Sequence, residues 1–321
     1  MSLKSKIMAT ALGLTTLFGP TVNIDSKSVV SEQKIEYKLE AKIEQNNAQA
    51  RDYNLEGRAA VLGFDLLING LKSGLGAYAN GEDFWPAFGK GLGAGAIVYA
   101  GKEIASHNRY PFLGVSGKLV HDLGVSMSDN VMLNKPIMSR YVTDFGPIEI
   151  HFEKGKENKI YFQPFSACAI LGNLVKGNDF DLKQTLYNFT PVFSYKVPLD
   201  IQQQGFIGGY TTSNVIAYCR NCKENDFFKV ALSHEMNHVL FFSEFRFLDY
   251  LTPNKKIVFE NMLFLHPFAE QLGEMRYGPM LAQGLLVLPK LFSKEAYWYL
   301  PHELEAFTME MPRTNNAHPL Y

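Results

Sequence analysis

The sequence predicts an α+β fold with a glycine-rich helical hairpin, a central antiparallel β region and a C-terminal helical region. Three observations support it. Residues 61–124 are apolar and dense in glycine, residues 125–220 contain short segments in which apolar and polar residues alternate, and residues 224–321 carry apolar residues at helical spacing. We therefore divide the chain into a hairpin at 61–124 and a domain at 125–321, whose β part ends at 220 and whose helical part begins at 224.

The first 60 residues precede this fold. Lys4 and Lys6 come before an apolar run that ends at Phe18, followed by Gly19-Pro20. A basic start and an apolar run of this length are typical of a secretory signal, so we expect a signal peptide over residues 1–25 and export to the periplasm, outer envelope or medium. An ordinary buried helix is the alternative. Residues 26–60 are polar and charged, which predicts a solvated helix or linker.

Composition limits the classes of partner. The chain has 321 residues, 46% of them hydrophobic, and a net charge of −1. This length can bury a sizeable core, and the absence of a basic excess argues against nucleic acid as a partner. The three cysteines are Cys168, Cys219 and Cys222; the close pair could form a small disulfide loop, and we expect the cysteines to be structural or incidental.

The glycine-rich hairpin turns at "ANGEDFW". Glycines at these spacings let two helices approach closely. The stretch "GKGLGAG" lacks the spacing of a phosphate-binding loop. A tightly packed soluble hairpin and a membrane contact through residues 61–100 both remain open, although each arm is shorter than the ~20 apolar residues that span a bilayer.

The β region is predicted from the alternation of apolar and polar residues. In "GPIEIHFEK" the apolar side chains of Ile148, Ile150 and Phe152 fall on one face and the polar side chains on the other. The segments "ENKIYFQPF", "NFTPVFSYKVP" and "SNVIAYCR" are further strand candidates. His151 lies on the polar face, so we expect a solvated histidine there.

The candidate metal-binding and catalytic residues lie in "ALSHEMNHVLFF", where His234 and His238 are four residues apart. On a helix this spacing places both imidazoles on one face, where they can bind one Zn²⁺. Glu235 lies about 100° around the helix, too far to share the ion, but it can take a proton from a metal-bound water. A hydrogen-bonded histidine pair without metal is the alternative.

A zinc site of this kind needs a third protein ligand. The downstream candidates are His266, Glu270, Glu274, His302, Glu303 and Glu305. Pro301 can open a helix, and Glu303 would then lie in its first turn, where a carboxylate is favoured. Because Glu303 and Glu305 face different sides of that helix, we expect only one of them to reach the metal.

The two motifs together resemble those of the gluzincin peptidases, particularly their membrane-associated members. The H-E-x-x-H motif is followed some sixty residues later by Glu303-Leu304-Glu305-Ala306, which matches the family's helical E-x-x-A. The resemblance implies a zincin-like catalytic region in which Glu303 is the third ligand, with Glu305 as the alternative. Phe307 stands where the family has aspartate. The glycine-rich hairpin also resembles a segment of exported proteins of Bacteroidetes-type bacteria.

These observations predict a zinc-dependent metallopeptidase that acts on a peptide or protein substrate. His234, His238 and Glu303 would bind Zn²⁺ and Glu235 would be the general base. Tyr297, Tyr299 and His302 are candidate donors to the oxyanion. Two alternatives stay open: a membrane-interacting protein with a structural or vestigial zinc site, and a zinc hydrolase that acts on something other than peptides.

Overall fold

The first three helices of the structure form an antiparallel, up-down-up arrangement. A computed structural model of the chain describes residues 55–107, 112–197, 208–221, 227–251, 275–279, 306 and 309. Helix α1 spans Leu55–Ala79, α2 spans Phe84–Ser106 and α3 spans Leu113–Met132. The predicted hairpin is therefore present as α1 and α2, joined by a turn at Asn80–Asp83. It begins six residues before the predicted boundary, and the second boundary, at 124, falls inside α3.

Glycine sets the spacing of these helices. A Cβ atom on Gly91 would lie 2.4 Å from the carbonyl oxygen of Asn69, and one on Gly101 would lie 2.4 Å from the backbone nitrogen of His121. No side chain fits at such distances. The glycines of α2 therefore let its backbone touch the backbones of both α1 and α3, as the sequence predicts.

Two small sheets follow. The strands β1 (Arg140–Phe145), β2 (Ile148–Glu153) and β3 (Lys159–Phe162) form an antiparallel meander. The second sheet has the order β4-β5-β7-β6, with bounds β4 Asp179–Phe180, β5 Val192–Tyr195, β6 Gly209–Thr212 and β7 Val215–Cys219. The fold is thus mixed α and β.

The prediction of a central antiparallel β region is correct for four of the five strand pairs and wrong in two respects. Strands β5 and β7 pair in parallel, and two helices interrupt the region: α4 (Pro164–Val175) and α5 (Leu182–Asn188). The first of these helices begins at Pro164, where proline is favoured. The carboxylate of Asp181 caps the second by accepting a hydrogen bond from the backbone nitrogen of Gln184.

The prediction of a solvated His151 is also wrong. The alternation in β2 is real, but the polar face is the buried one: Glu149 is 1% exposed and His151 4%, whereas Phe152 is 41% exposed. The His151 Nε2 and Glu149 Oε1 atoms are 2.5 Å apart, and the guanidinium of Arg276 lies 3.5 Å from the same oxygen. These polar partners allow the polar face to be buried.

Helix α6 spans Phe227–Ser243 and leads into a 3₁₀ turn at Glu244–Phe247 and the short helix α7 at Leu248–Leu251. One face of α6 packs into the main apolar cluster with side chains of α2, β5 and β7. Its members are Ala105, Val192, Ile216, Tyr218, Leu232, Met236, Val239 and Leu240. The core therefore lies between the second sheet, α6 and the C-terminal end of α2.

A network of buried ions joins the first three helices to the end of α6. The Lys102 ammonium lies 2.7 Å from Asp65 and 2.5 Å from Glu244. Arg246 lies 3.3 Å from Asp129, which also pairs with Lys72 at 2.9 Å. All of these side chains are at most 4% exposed. Charges from distant parts of the sequence therefore neutralise one another inside the protein.

Several predicted segments lie outside the described residues: the signal peptide at 1–25, most of the linker at 26–60, and most of the C-terminal helical region. None of the described helices is long and apolar enough to cross a membrane. Cys219 is disulfide-bonded and Cys168 carries a free thiol.

Candidate metal centre

Helix α6 carries the two histidines, and its position is fixed by packing. Leu232, Met236 and Leu240 recur at helical spacing and are buried against the sheet. The hydroxyl of Ser233 donates a hydrogen bond of 2.9 Å to the carbonyl oxygen of Ser106, at the end of α2. The remaining face of the helix, which includes His234 and His238, is thereby held in a fixed orientation.

The two imidazoles converge. The Nε2 atoms of His234 and His238 are 3.1 Å apart, and the ring planes are inclined at 87°. The residues are 9% and 6% exposed, respectively. Two nitrogens bound at 2.0–2.1 Å to one tetrahedral zinc ion would lie about 3.3 Å apart. The pair therefore has the donor atoms and the spacing that suit Zn²⁺, and the same distance also allows one imidazole to donate a hydrogen bond to the other.

The side chain of Glu235 does not share the helix face of the two histidines. It packs against strand β6 of the second sheet. It is 4% exposed. The hydroxyl of Thr211 in β6 donates a hydrogen bond of 2.8 Å to Oε2 of this carboxylate. A Cβ atom on Gly209 would lie 2.8 Å from Cγ and 3.0 Å from Oε1 of Glu235. The side chain therefore lies directly over the backbone of β6.

Strand β6 is an edge strand, because it pairs with β7 and with no other strand among the described residues. The sequence analysis did not single out this strand, nor Gly209 and Thr211. The segment "GYTT" is short and has no alternating pattern, and its role depends on a contact with a helix that begins fifteen residues after the strand ends. Only the tertiary structure reveals that contact.

Tyr195 in β5 is a further residue that the sequence analysis missed. Burial is the main cause that raises the pKa of its phenol above the ordinary value of 10.0, and the negative charge of Glu235 is the next cause. The phenol therefore stays protonated throughout the neutral range. Because the charge of Glu235 affects its pKa, this protonated tyrosine is a candidate hydrogen-bond donor in the surroundings of that carboxylate.

The predicted third ligand, Glu303, lies outside the described residues. So do its alternative Glu305 and the other candidates: His266, Glu270, Glu274, Tyr297, Tyr299 and His302. Ala306, the alanine of the E-x-x-A motif, is helical and fully buried. Within the described part of the chain, no group of three or more His, Cys, Asp and Glu side chains is placed to hold a metal ion. The described centre consists of the histidine pair and Glu235.

Comparison with family models, with curated proteins and with solved structures gives no match. The chemistry of the site is therefore argued from its own residues.

Proposed function

We propose that this protein is a zinc-dependent metallopeptidase that hydrolyses peptide bonds through a metal-activated water. The observation that carries the proposal is the buried pair of imidazole nitrogens, 3.1 Å apart, on the helix that also holds Glu235 against an edge strand. Two imidazole nitrogen donors and a carboxylate that does not share their face are the groups that this reaction needs.

In this proposal His234 and His238 hold the ion, and Glu303 completes the ligand set, with Glu305 as the alternative. The ligand role of Glu303 rests on the resemblance to gluzincin peptidases. Zinc bound there would lower the pKa of a coordinated water to about 7 and polarise the scissile carbonyl.

Glu235 is the general base. Its carboxylate would take the proton from the attacking water and later deliver it to the leaving amine. The hydrogen bond of 2.8 Å from the Thr211 hydroxyl holds the Oε2 atom of this carboxylate and so fixes its orientation. Because the residue is 4% exposed, bulk water competes little for this position.

The edge of β6 favours a peptide as the substrate class. An extended peptide can add to an edge strand through main-chain hydrogen bonds. A peptide that paired with β6 would run close to Glu235, since that side chain lies over the face of the strand at Gly209. A carbohydrate or a lipid ester has no matching series of donors and acceptors.

Metal analysis of the purified protein, combined with a peptide-cleavage assay, tests the proposal. We expect the wild type to bind about one zinc, His238→Ala to lose it, and Glu235→Gln to keep it while kcat/KM falls at least about 10²-fold. His107→Ala, which removes a half-buried histidine outside α6, is the matched control and should behave as the wild type.

Wild-type protein that stays metal-free after zinc is offered would contradict the proposal. Zinc that survives in Glu235→Gln with every activity unchanged would indicate a structural site instead, because a structural site does not need the base.

A further inference from the structure

Arg140, the first residue of β1, is a buried cation whose charge is not neutralised by the described part of the chain. The residue is 8% exposed. Among the described residues, its Nε and Nη2 atoms find no hydrogen-bond acceptor and its guanidinium forms no ion pair with a carboxylate. A buried cation in this state is strongly unfavourable unless an acceptor of opposite charge comes to it. The position therefore calls for an anion.

The carboxylate opposite Arg140 is engaged elsewhere. Glu153 is the partner of Arg140 in the register of β1 and β2. Its Oε1 atom lies 2.9 Å from the Lys156 ammonium and 3.4 Å from that of Lys135. Three cations and one carboxylate therefore belong to this part of the sheet, and positive charge is in excess.

A second guanidinium lies against the same aromatic ring as Arg140. The Cζ atom of Arg140 is 4.7 Å from the ring centre of Tyr250, and the Cζ atom of Arg276 is 5.7 Å from it. Arg276 also lies over the ring of Tyr161 at 3.9 Å. Contact with an aromatic face holds a guanidinium in place and leaves its N–H groups, which lie in its plane, for an acceptor. The Arg276 side chain is 14% exposed, so the cluster reaches the surface there.

Glu149 offsets only one of these two guanidinium charges. Its Oε1 atom lies 2.5 Å from His151 Nε2 and 3.5 Å from Arg276 Nε. Burial is the main cause that lowers the pKa of His151, and the positive charges of Arg140 and Arg276 act in the same direction. Both guanidiniums are therefore close enough to act on this imidazole, which is neutral at pH 7.

Asp129 does not supply the missing anion either. Burial is the main cause that raises the pKa of Tyr250, and the negative charge of Asp129 is the next cause. That carboxylate lies 3.3 Å from Arg246 and 2.9 Å from Lys72. Because two cations already hold Asp129, the charge of Arg140 stays in excess.

We propose that Arg140 and Arg276 form a binding site for the carboxylate or phosphate group of a small molecule, beside the ring of Tyr250. The flat fork of a guanidinium matches two oxygens of either group. The bound group would supply the acceptors that Nε and Nη2 of Arg140 lack. The site lies outside α6 and does not depend on the peptidase proposal. A carboxylate from another part of the same chain would be the competing occupant.

Isothermal titration calorimetry of the full chain with inorganic phosphate and with acetate, at constant ionic strength, tests the site. We expect one anion bound per chain, and the tighter of the two identifies the group. Arg140→Gln and Arg276→Gln should each lower the affinity at least about tenfold, because each removes a charge-assisted hydrogen-bonding group. Arg220→Gln is the matched control, since that arginine pairs with Asp179 at the surface, and it should bind as the wild type does.

Thermal unfolding gives an independent readout. In a buffer that contains chloride as its only anion, Arg140→Met should melt at a higher temperature than the wild type, because an apolar side chain replaces an unpaired buried charge. The melting temperature of the wild type should rise with the concentration of the bound anion. That of Arg140→Met should not change with it.

Two results would overturn the proposal. The wild type could bind neither anion, or Arg140→Gln could bind both as tightly as the wild type. In the first case, a lower melting temperature of Arg140→Met would assign Arg140 to a carboxylate of the same chain. Far-UV circular dichroism of each variant verifies that the fold is retained.

Discussion

Gly209 is the residue on which the position of Glu235 depends. The carboxylate and its Cγ lie within 3.0 Å of the place where any larger side chain at position 209 would put its Cβ atom. The hydrogen bond from Thr211, two residues along the same strand, holds the carboxylate from one side. Two residues of an edge strand therefore determine where a base on the neighbouring helix can act.

We expect Gly209→Ala to reduce peptide cleavage strongly while zinc content stays at the wild-type level. The added methyl group would push the Glu235 carboxylate away from its position, and a displacement of about 1 Å can lower the rate about 10²-fold. Steady-state kinetics and metal analysis of the same preparation measure the two effects.

Gly172→Ala is the control, because a Cβ atom there meets nothing within 4 Å. It should leave the kinetics unchanged. Full activity in Gly209→Ala would show that Glu235 is not the base, or that the strand can move aside.

The network of buried ions is the feature that joins the elements. Lys102 belongs to α2, Asp65 to α1 and Glu244 to the turn after α6, and the three side chains meet with at most 3% exposure. Such a network adds little net stability compared with apolar residues of the same shape, but the loss of one member leaves the others charged and unpaired. It therefore fixes how the three elements fit together.

Lys102→Met should lower the free energy of unfolding by about 3–5 kcal/mol, since Asp65 and Glu244 would remain buried without their cation. Urea denaturation of the variant measures the loss. Lys154→Met, at an exposed lysine, should change stability by less than about 0.5 kcal/mol. If additional replacement of Asp65 and Glu244 by leucine in Lys102→Met restored none of the loss, the explanation by unpaired charge would be wrong.

Two buried carboxylates, Glu244 of this network and Glu149 of β2, predict how stability depends on pH. Despite burial, which acts in the opposite direction, the Lys102 ammonium holds the pKa of Glu244 at about 2, below its ordinary value of 4.5. The hydrogen bond with His151 likewise holds the pKa of Glu149 at about 2. A lowered carboxyl pKa stabilises the folded state above the unfolded pKa, and the contribution disappears as the pH falls through the folded pKa.

Burial lowers the pKa of His151 below its ordinary value of 6.5, which destabilises the folded state as the pH falls below that value. We therefore expect urea midpoints that decrease modestly below about pH 6.5 and fall steeply between about pH 4.5 and 2. In Glu149→Gln, which loses one of these contributions, the fall should be shallower. An equal slope in the variant would rule out Glu149 as a source.

Local patterns predicted the elements better than they predicted which faces are buried. The turn of the hairpin, the strand at β2 and the helix around His234 follow from glycine spacing, alternation and helical periodicity. The buried side of β2 could not be predicted in this way, because its polar face is buried against Arg276, more than a hundred residues away. Partners at that distance leave no trace in a local pattern.

At the scale of the whole molecule, the candidate centre was predicted in part. The spacing of His234 and His238 is enough to predict convergent imidazoles. It gives no information on Gly209, Thr211 or Tyr195, since their roles arise from the packing of α6 on the second sheet. The spacing also says nothing about the buried ions that hold the end of α6.

The described residues on both sides of the predicted boundary at 124 belong to one compact unit, which includes Asp52–Val197 and Gly208–His318. A fragment of residues 125–321 would lack Asp65, Lys102 and the first part of α3, and would leave Glu244 buried without a cation. We expect this fragment to be unfolded by circular dichroism, and a fragment that begins at residue 52 to show the helix content of the longer chain. A cooperative thermal transition in the shorter fragment would contradict this expectation.

The order of synthesis determines when the long-range ion pairs can form. Lys102 and Asp129 leave the ribosome more than a hundred residues before Glu244 and Arg246, to which they are joined in the finished structure. Until those residues emerge, the pair of Lys102 with Asp65 and the pair of Lys72 with Asp129 lack their contacts with the turn after α6, so α1–α3 alone are an incomplete folding unit. The turn that follows the histidine helix is thus the last part of this network to be synthesised, and its two ions complete the packing of the first helices.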